Sequence, residues 1–383
     1  MVFELTAEQV ELRDAARDFA AREIAPRARE WDRTEQLDRS VVQQLADVGY
    51  LGATWPEDLG GSALDTVSYA LVVEELGKAD SSVRGIVSVN VGLVGKTIYR
   101  FGTDEQKKTW LPRLARGEVL GCFALTEPGC GSDAAALSTH AKRSGDDWVL
   151  NGSKTFITLG SWASLALVFA RTGGAGPRGI TCFLVPTDTE GFAAHPIKGK
   201  LGLRAQDTAE LSFQDVRVPD ANRLGELNRG FSVAMTALDA GRISLAAGCV
   251  GIAQGCFEAS IAYAKERNAF GRPIGGFQLI QELIATMAVD IDAARLLTWR
   301  AAAVADQTKS HTLESSIAKL HASETAVRVA NDAVQIFGGY GFIDEYPVGK
   351  YLRDARVSTL YEGTSQIQKL IIGRAFTGES AFA

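Results

Sequence analysis

The spacing of apolar residues changes period twice along the chain. From Thr6 to about Arg116 they recur at helical intervals. Thr6-Ala7-Glu8-Gln9 reads as a capping box, and Val10, Leu12, Ala16, Phe19, Ala20 and Ile24 follow near helical spacing until Pro26. Further helices are expected over 41–48, ending near Gly49, and over 66–76, stopping at Gly77. Thr103-Asp104-Glu105-Gln106 is a second capping box, whose helix should close before Pro112. From about Leu120 to Gly225 short runs bounded by glycine and proline take over. Asn151-Gly152 lies between Trp148-Val149-Leu150 and Thr155-Phe156-Ile157-Thr158, where it suits a hairpin turn. Apolar runs at 165–170 and 180–185, with alternation at Leu211-Ser212-Phe213-Gln214, predict a compact β-barrel or sandwich. After Gly230 the pattern is helical again, through about Ala264, then over 277–305 and 313–337, rich in alanine as a bundle requires. Gly248, Gly251 and Gly255 mark close helix packing there. The predicted fold is α+β: an N-terminal helical domain at 1–119, a central β domain at 120–227 and a C-terminal four-helix bundle at 228–383.

Charge and composition narrow the function. The net charge of -6 is spread over both signs without long runs, which argues against a nucleic-acid partner. No apolar run approaches the roughly 20 residues that cross a bilayer, so no membrane partner is expected. Met1-Val2-Phe3-Glu4-Leu5 runs into a helix-like pattern without the look of a secretory signal, and a cytoplasmic protein is the simplest expectation. Cys122, Cys130, Cys182, Cys249 and Cys256 contain no C-x-x-C pair and read as reduced, packed thiols. The histidines His140, His195, His311 and His321 are scattered, so no metal site is expected, and no G-x-S-x-G elbow occurs. An enzyme without nucleophile or metal signatures leaves its chemistry to a cofactor.

Three segments could hold one. Phe123-Ala124-Leu125-Thr126-Glu127-Pro128-Gly129-Cys130-Gly131-Ser132-Asp133 leaves a strand and becomes a loop whose backbone N–H groups could cradle an anion or a polar ring edge; it could equally be a boundary turn. Gln335-Ile336-Phe337-Gly338-Gly339-Tyr340-Gly341 ends a long helix, either as a plain cap or as a place where backbone approaches a ligand. Leu360-Tyr361-Glu362-Gly363-Thr364-Ser365-Gln366-Ile367-Gln368 puts a carboxylate at a helix mouth, with Ser365 and Gln368 as a candidate capping box. There burial would raise the pKa of Glu362 and the helix N-terminus would lower it, leaving a proton-abstracting base and a surface glutamate both open.

Together these segments resemble the acyl-CoA dehydrogenase family from end to end. Phe123 to Pro128 with Gly131-Ser132-Asp133 is similar to its first flavin loop, and Phe156-Ile157-Thr158 to its second, where the family usually has tryptophan for Phe156. Arg267-Asn268-Ala269-Phe270-Gly271 with Gln278 resembles its R-x-x-F-G…Q element, and the segments at Gln335 and Tyr361 complete the order. The resemblance implies FAD between the β domain and the C-terminal bundle. Phe123, Leu125, Thr126, Phe156 and Thr158 would surround the flavin ring, with Gly131 and Ser132 on the same loop and Ser132 beside flavin and substrate. Arg267, Phe270 and Gln278 would reach the FAD of a neighbouring subunit in a homodimer or homotetramer. Gln335, Gly338 and Gly339 would lie near the adenosine half, and Thr364 and Gln366 at a further FAD contact. Glu362 would take the α-proton of an acyl thioester while a β-hydride passes to flavin N5. The backbone N–H of Glu362 and a ribityl hydroxyl would stabilise the enolate-like charge. Asp239 and Arg242, in Leu238-Asp239-Ala240-Gly241-Arg242, would lie near the substrate's carrier, with Tyr361 and Gly363 beside the acyl group; a salt bridge within the bundle is the other reading of Asp239 and Arg242. In some members the base stands at the position of Gly241, which has no side chain to serve. The expected substrate is a short or branched acyl-CoA of fatty acid metabolism, with a carrier-protein thioester as an alternative. An electron-transferring flavoprotein would be the acceptor; an oxidase or monooxygenase of the same fold is a further alternative.

Overall fold

Helices, then strands, then helices follow one another in a computed structural model that describes residues 4–308 and 310–381. Residues 1–3, part of the N-terminal pattern read above, lie outside the described residues. Helix α1 (Ala7–Phe19) opens at the predicted capping box, with Thr6 and Gln9 each bonding the other's backbone N–H. A π turn at Ala20–Ile24 passes the chain into α2 (Ala25–Thr34), which holds Pro26 in its first turn, where no intrahelical bond is lost. Then come α3 (Ser40–Asp47), α4 (Thr66–Ala79), α5 (Ser81–Val87), a π segment at Ser88–Gly95, α6 (Lys96–Phe101) and α7 (Asp104–Ala115). The second capping box starts α7, but this helix runs through Pro112 instead of stopping before it. The carbonyl that loses its donor belongs to exposed Lys108, where water can replace the bond.

The strands are β1 (Gly121–Ala124), β2 (His140–Ser144), β3 (Asp147–Thr158), β4 (Leu165–Arg171), β5 (Ile180–Pro186), β6 (Phe192–Pro196), β7 (Thr208–Pro219) and β8 (Arg223–Leu224). Their order is β6-β7-β3-β2-β4-β5-β8, with β1 parallel beside β4. Strand β2 meets β4 only at His140↔Arg171, so the sheet falls into two parts joined by a narrow hinge. Trp148 of β3 packs against Phe183 of β5, ring centroids 5.6 Å apart, which brings those parts face to face in the manner of a sandwich. The Asn151-Gly152 pair does not turn the chain. The hairpin closes at Gly145-Asp146, and Asn151 instead lies within β3 opposite a bulge of β7, where Gln214 and Asp215 face it and Asp215 has a φ of 52°. Asn151 and Asp215 exchange two hydrogen bonds of 3.0 Å across it.

In the last third, α8 (Gly230–Glu266) leads into a ribbon of β9 (Asn268–Ala269) and β10 (Arg272–Pro273), then α9 (Gln278–Gln307), α10 (Thr312–Phe337), α11 (Val348–Val357) and α12 (Ser365–Thr377). Helices α8, α9 and α10 pack against one another, and α12 lies on α10. The glycines of α8 work as the spacing suggests. A Cβ on Gly251 would stand 2.1 Å from the carbonyl oxygen of Glu74, so α8 and α4 touch backbone to backbone. Among the described residues α8 is the one helix long and apolar enough to cross a membrane, and 67% of that stretch is buried inside the protein. One hydrophobic core joins the N-terminal helices to the sheet, and a second fills the bundle; they meet along α8 near residues 243–247.

Candidate active site

Glu362 stands at that meeting place. The chain between α11 and α12 takes two successive left-handed residues, Glu362 with φ 55° and Gly363 with φ 89°. Such a conformation is costly for a glutamate, and it is held by side chains that grip the loop's carbonyl groups. Arg242 Nε donates to Glu362 O at 3.3 Å, Lys319 Nζ to Gly363 O at 2.8 Å, and Gln368 Nε2 to both oxygens. This use of Gln368 displaces the expected capping box: Thr364 caps α12 by accepting from Ile367 N–H, and Ser365 donates to Glu324.

The carboxyl group of Glu362 keeps some exposed surface toward a cavity, but its Oε2 is out of reach of water and has no hydrogen-bond partner among the described residues. Burial pushes its pKa up to about 7, against the opposing pull of Arg84, Arg242 and Lys319. Burial therefore outweighs the helix N-terminus, and the group is poised as a base near neutral pH. Gly241 of α8 leaves it room, since a Cβ there would lie 2.4 Å from Glu362 Oε2 and 2.8 Å from Leu93 Cδ2.

A cavity of about 120 Å³ opens beside the base. It gathers Phe123, Leu125, Thr126, Phe156, Thr158, Tyr361 and Glu362 from three stretches far apart in the sequence. Phe156 sits in a bulge of β3 with φ 57° and is 68% exposed, an aromatic face held out by a strained backbone without a ring partner among the described residues. The neighbouring loop is shaped by a buried ion pair. Glu127 accepts from Lys154 Nζ at 2.8 Å, from Ser138 N–H and hydroxyl, and from Thr139 N–H, while Lys154 also holds Leu125 O at 3.0 Å. Burial would raise the Glu127 pKa, but Lys154 and these hydrogen bonds hold it down at about 2.

The remaining predicted residues lie elsewhere. Arg267, Gly338 and Gly339 line a second cavity of about 480 Å³ with Tyr263, Phe337 and Tyr340. Gly338 and Gly339 have nothing within 4 Å of where a Cβ would be, so a ligand can lie against their backbone. Phe270 is 97% exposed at the tip of the β9–β10 ribbon, and Gln278 is exposed at the start of α9. Gly131 and Ser132 are exposed on the first loop, Gln335 in the last turn of α10, and Gln366 in the first turn of α12; Thr364 caps that helix. Asp239 and Arg242 do form the salt bridge within the bundle, at 2.7 Å, and Thr312 donates to the far oxygen of Asp239. Gly363 and Tyr361 flank the base in sequence.

These features fit FAD. A planar ring system would find the open face of Phe156 with Phe123 and Leu125 nearby and the hydroxyls of Thr126 and Thr158 for its polar edge. Sequence reasoning missed Arg84 and Ser88, which line the first cavity, and Lys154 and Lys319, which shape its walls. A signal for Arg84 existed: a lone arginine in the apolar stretch Val83-Arg84-Gly85-Ile86-Val87.

Comparison with known proteins agrees with this geometry. The chain is 47% identical over 376 residues to the probable acyl-CoA dehydrogenase YngJ of Bacillus subtilis, covering 98% of this chain and 99% of that one. It superimposes on the butyryl-CoA dehydrogenase of Megasphaera elsdenii with a TM-score of 0.96 at 42% identity, covering 98% and 100% of the two chains. A chain solved in a study of the electron transferring flavoprotein of Acidaminococcus fermentans gives a TM-score of 0.97 at 42% identity, covering 99% and 100%. The acyl-CoA dehydrogenase N-terminal, middle and C-terminal domain families match residues 6–118, 122–216 and 228–377, and the chain belongs to the acyl-CoA dehydrogenase family.

Proposed function

We propose that this protein is an FAD-dependent dehydrogenase that converts a short-chain acyl-CoA to its trans-2-enoyl thioester, with Glu362 removing the α-proton. The observation that carries the reading is a carboxylate whose Oε2 is buried without a partner, raised to about 7 and facing a cavity beside an open aromatic face. FAD, when bound, supplies the acceptor for the β-hydride. The protein's part is to hold the thioester against the base, keep water away and stabilise the charge that develops on the thioester oxygen. The backbone N–H of Glu362 is placed for that last task by the grip of Arg242, Lys319 and Gln368 on the loop. Tyr361, Gly363 and Ser132 complete the substrate side in this reading, and Asp239 with Arg242 act through the loop. The butyryl-CoA relative supports a short acyl-CoA over a carrier-bound substrate, and the presence of the base disfavours an oxidase or monooxygenase. Arg267, Phe270 and Gln278 complete the FAD site of a second copy, since Phe270 and Gln278 stand exposed away from both cavities. In this reading the protein works as a homodimer or homotetramer, with an electron-transferring flavoprotein as acceptor and the cytoplasm as location.

An anaerobic titration with butyryl-, isobutyryl- and octanoyl-CoA tests the reading. Bleaching of the yellow flavin band by the short ester, lost in Glu362→Gln, is the expected result. A yellow protein that no CoA ester bleaches would refute it.

A further inference from the structure

We propose that Gln206 is a positioning residue for the flavin: its side-chain amide donates to the Thr158 hydroxyl and so commits that hydroxyl's proton to the polar edge of the ring. This deepens the FAD reading above and rests on it. Gln206 lines the same cavity as Thr158 and is 6% exposed. Its Nε2 lies 3.2 Å from Thr158 Oγ1, which donates to none of the described residues. A threonine hydroxyl has one proton and two lone pairs, and it rotates to suit its neighbours. With a donor fixed on one side, the proton turns away from it, and the open side here is the cavity. Without that donor the hydroxyl would be free to present a lone pair to the ring instead.

The amide is held by a frame that does not include Thr158. Gln206 ends a tight turn, its N–H donating to Leu203 O at 3.0 Å and its carbonyl accepting from Lys200 Nζ at 3.0 Å. Leu203, at φ 48°, donates its N–H to Asp354 Oδ1 of α11 at 2.6 Å. Asp354 shares Lys350 with Asp80, whose side chain caps α5 by accepting from Val83 N–H. The turn that carries Gln206 is therefore tied to helices of the N-terminal and C-terminal domains through two buried carboxylates. Helix α5 also makes room for the amide at Gly85, where a Cβ would stand 2.0 Å from Gln206 Oε1. The oxygen end of the amide faces that glycine and the nitrogen end faces Thr158. All three domains thus meet at this one side chain, and its donor is aimed at a hydroxyl beside the ring.

The test is a double-mutant cycle read on the cofactor, not on turnover. The holoenzyme is diluted and released FAD is measured by its fluorescence, while the visible absorption band of the bound flavin is recorded. Thr158→Val should weaken FAD binding about 10-fold and Gln206→Met about 3- to 10-fold, with the band shifted in the same direction by both. In the Thr158→Val background, Gln206→Met should weaken binding no further and leave the band where Thr158→Val put it, because the amide then has no hydroxyl to orient. Additive losses, or a Gln206→Met protein with the parent's affinity and spectrum, overturn the proposal and leave the FAD reading intact. If Gln206→Met does not fold, Gly85→Ala takes its place in the cycle, since its Cβ displaces the same amide while Gln206 and Thr158 remain. A folded parent protein that binds no FAD overturns the FAD reading and the proposal with it.

Discussion

Replacing Glu362 by glutamine should stabilise the protein, and by an amount that grows with pH. The native carboxyl group ionises at about 7, whereas an unfolded chain ionises it near the ordinary 4.5. Between those values the native state keeps a proton that the unfolded state has released, so stability falls as pH rises through the window. Below about 4.5 both states are protonated and the residue costs nothing by this route; above about 7 both are ionised and the loss is complete. The gap of roughly 2.5 units corresponds to about 3 kcal/mol at ~1.4 kcal/mol per unit. Glutamine has the same shape and no such loss, though its amide will leave about 1 kcal/mol of unmet hydrogen bonding where Oε2 has no partner. The net gain at alkaline pH is therefore about 2 kcal/mol, or several degrees in melting temperature. The assay is thermal unfolding of the ligand-free parent and variant at about pH 4.5, 6 and 8. A difference that does not change with pH would refute the claim that burial of this carboxylate dominates its surroundings.

The same raised pKa predicts that kcat/KM rises with pH through about 7, because the base must be ionised to accept a proton; a profile flat from about pH 5 to 8 would contradict it. Gly241→Ala should lower kcat about 100-fold in steady-state assays with little change in fold, since its Cβ enters the space of the Glu362 carboxylate. Lys154→Met should cost about 3–5 kcal/mol in denaturant unfolding by stranding Glu127, and should release FAD more readily on gel filtration. In the parent protein the Glu127 contribution is present above about 4.5 and lost as pH falls toward 2, where the carboxylate takes up its proton. Phe270→Ser should leave the fold unchanged, because the ring is 97% exposed, but should weaken association in sedimentation measurements.

Position 241 shows what a sequence can and cannot disclose about such a site. The change of hydrophobic period from helical to strand spacing and back was enough to read the three blocks, and both N-terminal capping boxes form as their residues suggest. Asn151-Gly152 was misleading because β3 runs straight through it; the irregularity there is an extra residue of β7, which only the pairing of β3 with β7 discloses. Arg84 stood out only as a lone charge in an apolar run, because helical periodicity says where apolar residues repeat, not which charged residue in the run faces inward; that depends on α8 offering a glycine at 248. Gly241 read from sequence was merely a place where a base could not be. In the structure it is a place where a base cannot be because another already fills it: any side chain there meets Oε2 of Glu362 at 2.4 Å or less. One volume beside the cavity admits one carboxylate, supplied either from α8 or from the loop before α12. The glycine on α8 is thus a condition for the glutamate on the loop, and the two residues, 121 positions apart, are a single decision about where the base stands.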